Sequence, residues 1–279
     1  MDTAVAGAPM SVTLDQLAAD AQAISTKSPA IRQYALDLVE YLREQAQPIP
    51  APTPTHLFQD EFMGDLAQWI NLDGISWGGV SPSKASNAYI DNGNLVLRAT
   101  RNADGSYSGA IVGTFQWGTG WPPKTLHSWP VPFRYETRIL YNSTPGTWQT
   151  GGWLSNVDVQ GSAGTEIDCG ELRGTYPTVL GLNQHLWSGS TDTRPEGAHA
   201  TIDPSVWHTV AVEARTTGTT YFVDGVQVAA HSGVSGSFGV LLHNAIAPLS
   251  SWGSGGQNPA ATDPGPWYTR IDYVRVTAL

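Results

Sequence analysis

The chain has 279 residues and a formal net charge of −10, with 30 Gly, 19 Pro, 11 Trp and 10 Tyr. That length accommodates one large domain plus an appendage, and the abundance of glycine, proline and aromatic residues favours short strands joined by tight turns over long helices. The acidic balance repels a phosphate backbone and argues against nucleic acid as a partner, whereas flat indole rings suit either the apolar faces of sugars or a protein core. Cys169 is the single cysteine, so no intrachain disulfide can form. No apolar run is long enough to span a bilayer, and the first residues lack the basic and apolar regions of a signal peptide.

Near the N-terminus Leu14, Leu17, Ala18 and Ala21 recur at helical spacing, and Ile31, Tyr34, Ala35, Leu38, Tyr41 and Leu42 do so again. Ser28-Pro29 supplies a cap and a first-turn proline for the second run and separates it from the first. A short helical hairpin is therefore expected within residues 1–47. Such helices are marginal alone in water, so residues 13–45 are read as a tether or oligomerisation element in a homo-oligomer or a larger assembly such as a virion tail. An extracellular or virion-associated location follows. Residues 48–55, PIPAPTPT, place proline at alternate positions, which blocks helix and favours an extended spacer.

From residue 56 to 279 the pattern changes to strands and turns. GNLVLRAT, FRYETRILY, WHTVAVEAR, TYFVDGVQVAA and RIDYVRVTAL alternate or cluster β-formers between turn residues, and Asp224-Gly225 marks a hairpin. One all-β sandwich accounts for this stretch.

The most informative segment is GTEIDCGELRG, residues 164–174, where Glu166, Asp168 and Glu171 crowd into six positions. On a regular strand Glu166 and Asp168 share a face and Ile167 points into the core, but Glu171 falls on the wrong side. One extra residue, a β-bulge at Gly170, restores the phase and lines all three acids on one face. An undistorted strand would hold the outer α-carbons roughly 15 Å apart. A retaining glycosidase needs its carboxyl groups about 5 to 5.5 Å apart, so the strand must also bend. With one carboxylate ionised to attack an anomeric carbon and the other protonated to release the leaving oxygen, such a set cleaves glycosidic bonds. The competing reading is a surface strand whose acids only keep the protein soluble.

In chain order, these segments resemble the laminarinase-like branch of glycoside hydrolase family 16. EIDCGE is similar to its bulged ExDxxE motif. FQDEF at 58–62, NGNLVLRAT at 92–100, FRYETRI at 133–139, YFVDG and IDYVRV are similar to its flanking strands, and GTWQTGGWLS at 146–155 resembles its Trp-Pro-Ala-x-Trp segment. The resemblance spans residues 56–279 and implies a concanavalin-like β-jelly-roll sandwich with a substrate cleft on its concave sheet. It makes Glu166 the nucleophile, Asp168 the assisting acid and Glu171 the general acid/base, with Trp148 and Trp153 as stacking walls. It also implies a structural calcium ion held by Glu61, the Gly93 carbonyl and Asp272, no cofactor being needed for catalysis. Two departures stand out: Trp148 and Trp153 are five residues apart where the family usually has four, with Gln149-Thr150 replacing Pro-Ala, and His243 stands where the family often has asparagine.

Further substrate-binding candidates follow from position. His185 and Trp187 in NQHLW return toward the acidic strand, though a histidine on an apolar strand also reads as a structural residue. Arg134 reads either as a ligand for sugar hydroxyls or as a partner for nearby acids. Trp121 and Trp129 lie in a proline-rich loop, where exposed aromatics serve binding and buried ones serve packing.

The leading expectation is a retaining endo-acting glycoside hydrolase that cleaves β-1,3-glucan. A β-galactanase or mixed-linkage glucanase of the same fold is the alternative within the class. A carbohydrate-binding adhesin is the alternative outside it, since jelly rolls also serve as lectins.

Overall fold

A computed structural model describes residues 37–39, 55–76, 80–116, 124–157, 164–189, 191–247 and 258–279. The chain divides into two compact units, Met1–Thr53 and Pro54–Leu279. The described residues of the first unit, Asp37, Leu38 and Val39, are helical. The remainder of the expected hairpin, and the spacer apart from Thr55, lie outside the described residues.

The second unit is built from strands. Its first half contains β1 (His56–Asp60), β2 (Ile70–Asn71), β3 (Ala88–Asp91), β4 (Asn94–Arg101), β5 (Tyr107–Ser108), β6 (Ala110–Gly113), β7 (Trp129–Pro130) and β8 (Phe133–Leu140). Next come β9 (Thr147–Asn156), β10 (Gly164–Arg173), β11 (Val179–Ser188), β12 (Thr191–Asp192) and β13 (Glu196–Thr201). The last group is β14 (His208–Ala214), β15 (Thr219–Val223), β16 (Val226–His231), β17 (Ser237–Ile246) and β18 (Trp267–Ala278).

Two antiparallel sheets face each other as a jelly-roll sandwich. One runs β16-β15-β14-β8-β18-β4-β3, with β1 added on β18 and β5 on β4; the other runs β12-β11-β10-β9-β17-β6-β2, with β13 added on β11 and β7 on β17. Alternation dictates which residues meet between them. In β8, Phe133, Tyr135, Thr137 and Ile139 are buried, while Arg134, Glu136 and Arg138 between them are less so. From the facing sheet, Leu154, Ile167, Cys169, Leu172, Leu182 and Val240 join the same core.

Tight turns fix the register of two hairpins. Asp224 and Gly225 take φ of 50° and 78° between β15 and β16, and Asn92 and Gly93 take 50° and 72° between β3 and β4. Both are two-residue turns with positive φ at each position, the geometry that Asp-Gly and Asn-Gly pairs favour.

Candidate active site

The acidic strand carries the expected bulge. Opposite β11, Cys169 pairs with Leu182 and Glu171 with Gly181, so Gly170 is the extra residue, and its φ is +85°. Ile167, Cys169 and Leu172 point into the core, which turns Glu166, Asp168 and Glu171 to the outer face of their sheet.

Neighbouring strands supply donors to each acid. The Trp148 indole Nε1 on β9 donates to Glu171 Oε1 at 3.0 Å, and Asn183 Nδ2 on β11 donates to Glu171 Oε2 at 3.0 Å. Trp187 Nε1 donates to Glu166 Oε2 at 3.0 Å. His185 lies between two carboxylates, with Nε2 at 3.2 Å from Asp168 Oδ2 and Nδ1 at 2.5 Å from Asp192 Oδ2, and its ring stacks on Trp187 at 5.5 Å. Beside Glu171 the absence of a side chain at Gly181 opens a recess of ≈ 90 Å³ lined by Arg173, Tyr176, Asn183 and His199.

Burial and mutual repulsion move the titrations of all three acids upward. Burial and then the Asp168 charge raise Glu166, against the His185 charge and hydrogen bonds from Trp153 and Trp187. Burial and then the Glu171 charge raise Asp168, against His185 and Arg173. Burial also raises Glu171, opposed by the Arg173 charge and by hydrogen bonds from Asn183 and Trp148. Although burial disfavours charge on His185, the hydrogen bonds and charge of Asp168, together with Asp192, push its pKa up to about 10. Each ionised carboxyl thus disfavours charge on the next, so the three give up their protons in sequence rather than together, beside the His185 cation that opposes this rise.

Glu166, Asp168 and His185 also place ligand atoms within 4.8 Å of one another, as a metal site would. An imidazolium held between the carboxylates of Asp168 and Asp192 has no free lone pair for a metal, so the group is better suited to moving protons.

No protein-family model matches the chain, and no curated protein matches it. Solved structures do. An endo-β-1,3-glucanase from Pyrococcus furiosus is similar over 80% of this chain and 94% of its own, with a TM-score of 0.66 at 20% identity. The laminarinase catalytic domain of Thermotoga maritima is similar over 81% and 98%, with a TM-score of 0.65 at 18% identity. A non-specific endo-β-1,3(4)-glucanase of family GH16 is similar over 82% and 93%, with a TM-score of 0.65 at 21% identity. The fold is that of the family 16 laminarinases.

Within this laminarinase-like fold the candidate residues separate. Glu166, Asp168, Glu171, Trp148, Trp153, His185, Trp187 and His243 converge. His243 on β17 lies edge-on to Trp148 at 5.3 Å and to Trp153 at 6.5 Å, and burial pushes its pKa down to about 3, so it is a neutral prop for the two indoles. Trp148 and Trp153 are only 3% and 8% exposed, so neither is an open stacking wall, and Trp148 serves instead as a donor to Glu171. Trp187 is the partly exposed ring of the set.

Arg134 is not in the site. It lies on β8 of the opposite sheet, paired with Glu136 at 2.9 Å and Glu213 at 3.4 Å and covering Phe222. Strand parity sends it outward on that sheet. Trp129 is a core residue as well, 4% exposed and packed on Phe58 at 5.3 Å. Trp121 lies outside the described residues.

The implied calcium ligands are differently engaged. Glu61 accepts two hydrogen bonds from Arg275 at 2.8 and 3.1 Å, Asp272 pairs with Arg138 at 2.6 Å, and Gly93 forms the tight β3-β4 turn. Guanidinium groups neutralise both carboxylates in this arrangement, so a calcium ion there would have to displace Arg275 and Arg138.

Asn183 and Asp192 are the site residues that the sequence reading passes over. Asn183 was accessible to it, since it shares the outer face of β11 with His185 and Trp187 at two-residue spacing. Asp192 was not, because it sits on a two-residue strand that reaches His185 only across a turn.

Proposed function

We propose that the chain is a retaining endo-acting glycoside hydrolase that cleaves laminarin-like β-1,3-glucan by double displacement. The observation that carries this reading is the bulged β10, which turns Glu166, Asp168 and Glu171 to one face and gives the outer two separate donors. Glu166 attacks the anomeric carbon and Glu171 gives its proton to the departing glycosidic oxygen. Water, deprotonated by Glu171, then releases the sugar from Glu166. The His185 cation acts on Glu166 and Asp168 and favours the ionised nucleophile. The recess beside Glu171 receives the leaving-group side of the chain.

The similar solved structures that hydrolyse β-1,3-glucan support the substrate class. A mixed-linkage glucan is the second reading, favoured by the similarity to a non-specific β-1,3(4)-glucanase; β-galactan remains a third substrate of the same chemistry. An adhesin gains nothing from three crowded carboxyls, two of them buried, which cost stability without aiding recognition. The N-terminal unit serves in this reading as a tether to a virion or cell-surface assembly.

Reducing-end release should be measured on laminarin, lichenan, galactan and arabinogalactan, with the product anomer followed by proton NMR. The expected result is laminarin cleaved to mixed oligosaccharides with the β-anomer appearing first. Inversion, or binding without hydrolysis of any of the four, overturns the reading.

A further inference from the structure

The acid-bearing sheet is bulged twice at one level. In β10, Cys169 and Gly170 both face the interior. Across the ladder Asp168 pairs with Trp153 and Glu171 with Thr150, so Gly151 and Gly152 of β9 lie beside them. Against β17, Trp153 pairs with Leu241 and Thr150 with His243, which leaves β9 with its own extra residue. Two adjacent bulges remove carbonyls from the regular ladder in a dry interior, where each needs another donor.

Those donors come from the opposite sheet. Tyr141, one residue beyond β8, donates its hydroxyl to the Gly170 carbonyl at 2.9 Å, and Tyr135 on β8 donates to the Gly151 carbonyl at 2.6 Å. Both rings are buried, at 4% and 0% exposure. Glycine is required for this approach. A Cβ on Gly170 would lie 2.6 Å from the Tyr141 hydroxyl, and one on Gly152 would lie 2.5 Å from the Tyr135 ring.

We propose that Tyr135 and Tyr141 are positioning residues for the acids: their hydroxyls pin the paired bulges of β9 and β10 and thereby set how closely Glu166 and Glu171 approach. The proposal rests on the glycosidase reading for its kinetic consequence but not for its structural one. A phenylalanine at either position keeps the ring packing and deletes only the donor. Without it the bulge relaxes and the carboxyl groups move apart, so their mutual repulsion weakens.

The test compares wild type with Tyr141→Phe, Tyr135→Phe and the double variant. Kinetics on laminarin should show kcat lower by about 10-fold for each single variant and KM within about twofold, because the ground-state binding surface is untouched while the reacting geometry is lost. Independently of turnover, carbon-13 NMR titration of labelled glutamate carboxyls should show the Glu166 and Glu171 titrations drawn closer together in each variant. Superimposable titrations in folded wild type and Tyr141→Phe overturn the proposal, as does lowered thermal stability with kcat unchanged. If wild type cleaves no glycan, the glycosidase reading fails while the titrations still decide the clamp. Should Tyr141→Phe not fold, 3-fluorotyrosine at position 141 keeps the ring and strengthens the donor. The clamp then predicts shifted Glu171 titration, and an unshifted one overturns it.

Discussion

Trp148 and Trp153 stand five positions apart on β9 yet face the same side of the sheet, because the strand gains an extra residue at Gly151-Gly152. On a regular strand odd spacing would put one of them in the core. With the phase reversed, Trp148 reaches Glu171 and Trp153 reaches Glu166. The wider spacing is thus matched to the bulge of β10 beside it.

Trp148→Phe should therefore act on Glu171, the proposed general acid. The indole hydrogen bond favours the carboxylate form of Glu171, so removing it raises that pKa further. The alkaline limb of the kcat profile should move up by about half to one pH unit, the equivalent of one hydrogen bond of about 1 kcal/mol. A limb that moves down would contradict the assignment of Glu171 as the proton donor.

Glu166→Gln should lower hydrolysis by at least about 10³-fold while the fold persists, because an amide cannot form the glycosyl-enzyme bond. It should also be more stable than wild type in alkali. The Glu166 pKa is raised from 4.5 to about 8 in the folded chain, mainly by burial. Its neutral form therefore suits the fold, and stability is lost as pH rises from 4.5 through 8. A glutamine escapes that loss. Melting curves from pH 5 to 9 should diverge upward for the variant; parallel curves would show that Glu166 titrates normally.

Glu171→Gln should lose activity on polysaccharide but keep a measurable rate on aryl glycosides whose leaving groups need no proton. Equal loss on both substrate types would remove Glu171 from the acid role.

Asp192→Asn should reveal the second carboxylate of the histidine relay. With one of its two acidic partners gone, the His185 pKa falls from about 10. The imidazolium that favours an ionised Glu166 is then lost at lower pH. At pH 8 the variant's activity should fall to about a tenth of the wild type's at the same pH, while at pH 6 the two should agree within about twofold. An unchanged profile would make Asp192 a structural partner only.

The sequence made the local parts of this site legible and the long-range parts opaque. Three acids in one short segment, with glycine at the one position able to take positive φ, sufficed to place the bulge at Gly170. Hairpin turns were readable for the same reason: Asp224-Gly225 carries its dihedral preference in its own chemistry. Arg134 and Trp129 misled because an arginine or tryptophan on a strand does not announce which sheet it joins. That depends on pairing between segments over a hundred residues apart, as when Phe133 to Leu140 pairs with Arg270 to Ala278. The tyrosine hydroxyls were invisible for a similar reason, since Tyr135 in FRYETRI reads only as an interior aromatic until the opposite bulge is known.

Cys169 has 0% exposure in the interior between the sheets, and burial pushes its thiol well above the ordinary cysteine range. As the sole thiol of the chain, it gives the molecule a single internal reporter of breathing. Alkylating reagents can reach it only in molecules whose two sheets have separated at the level of the acids, so the labelling rate counts those openings one by one. A saccharide that binds only the closed form slows this count in proportion to its occupancy, which converts one silent core residue into a substrate-binding assay that needs no turnover.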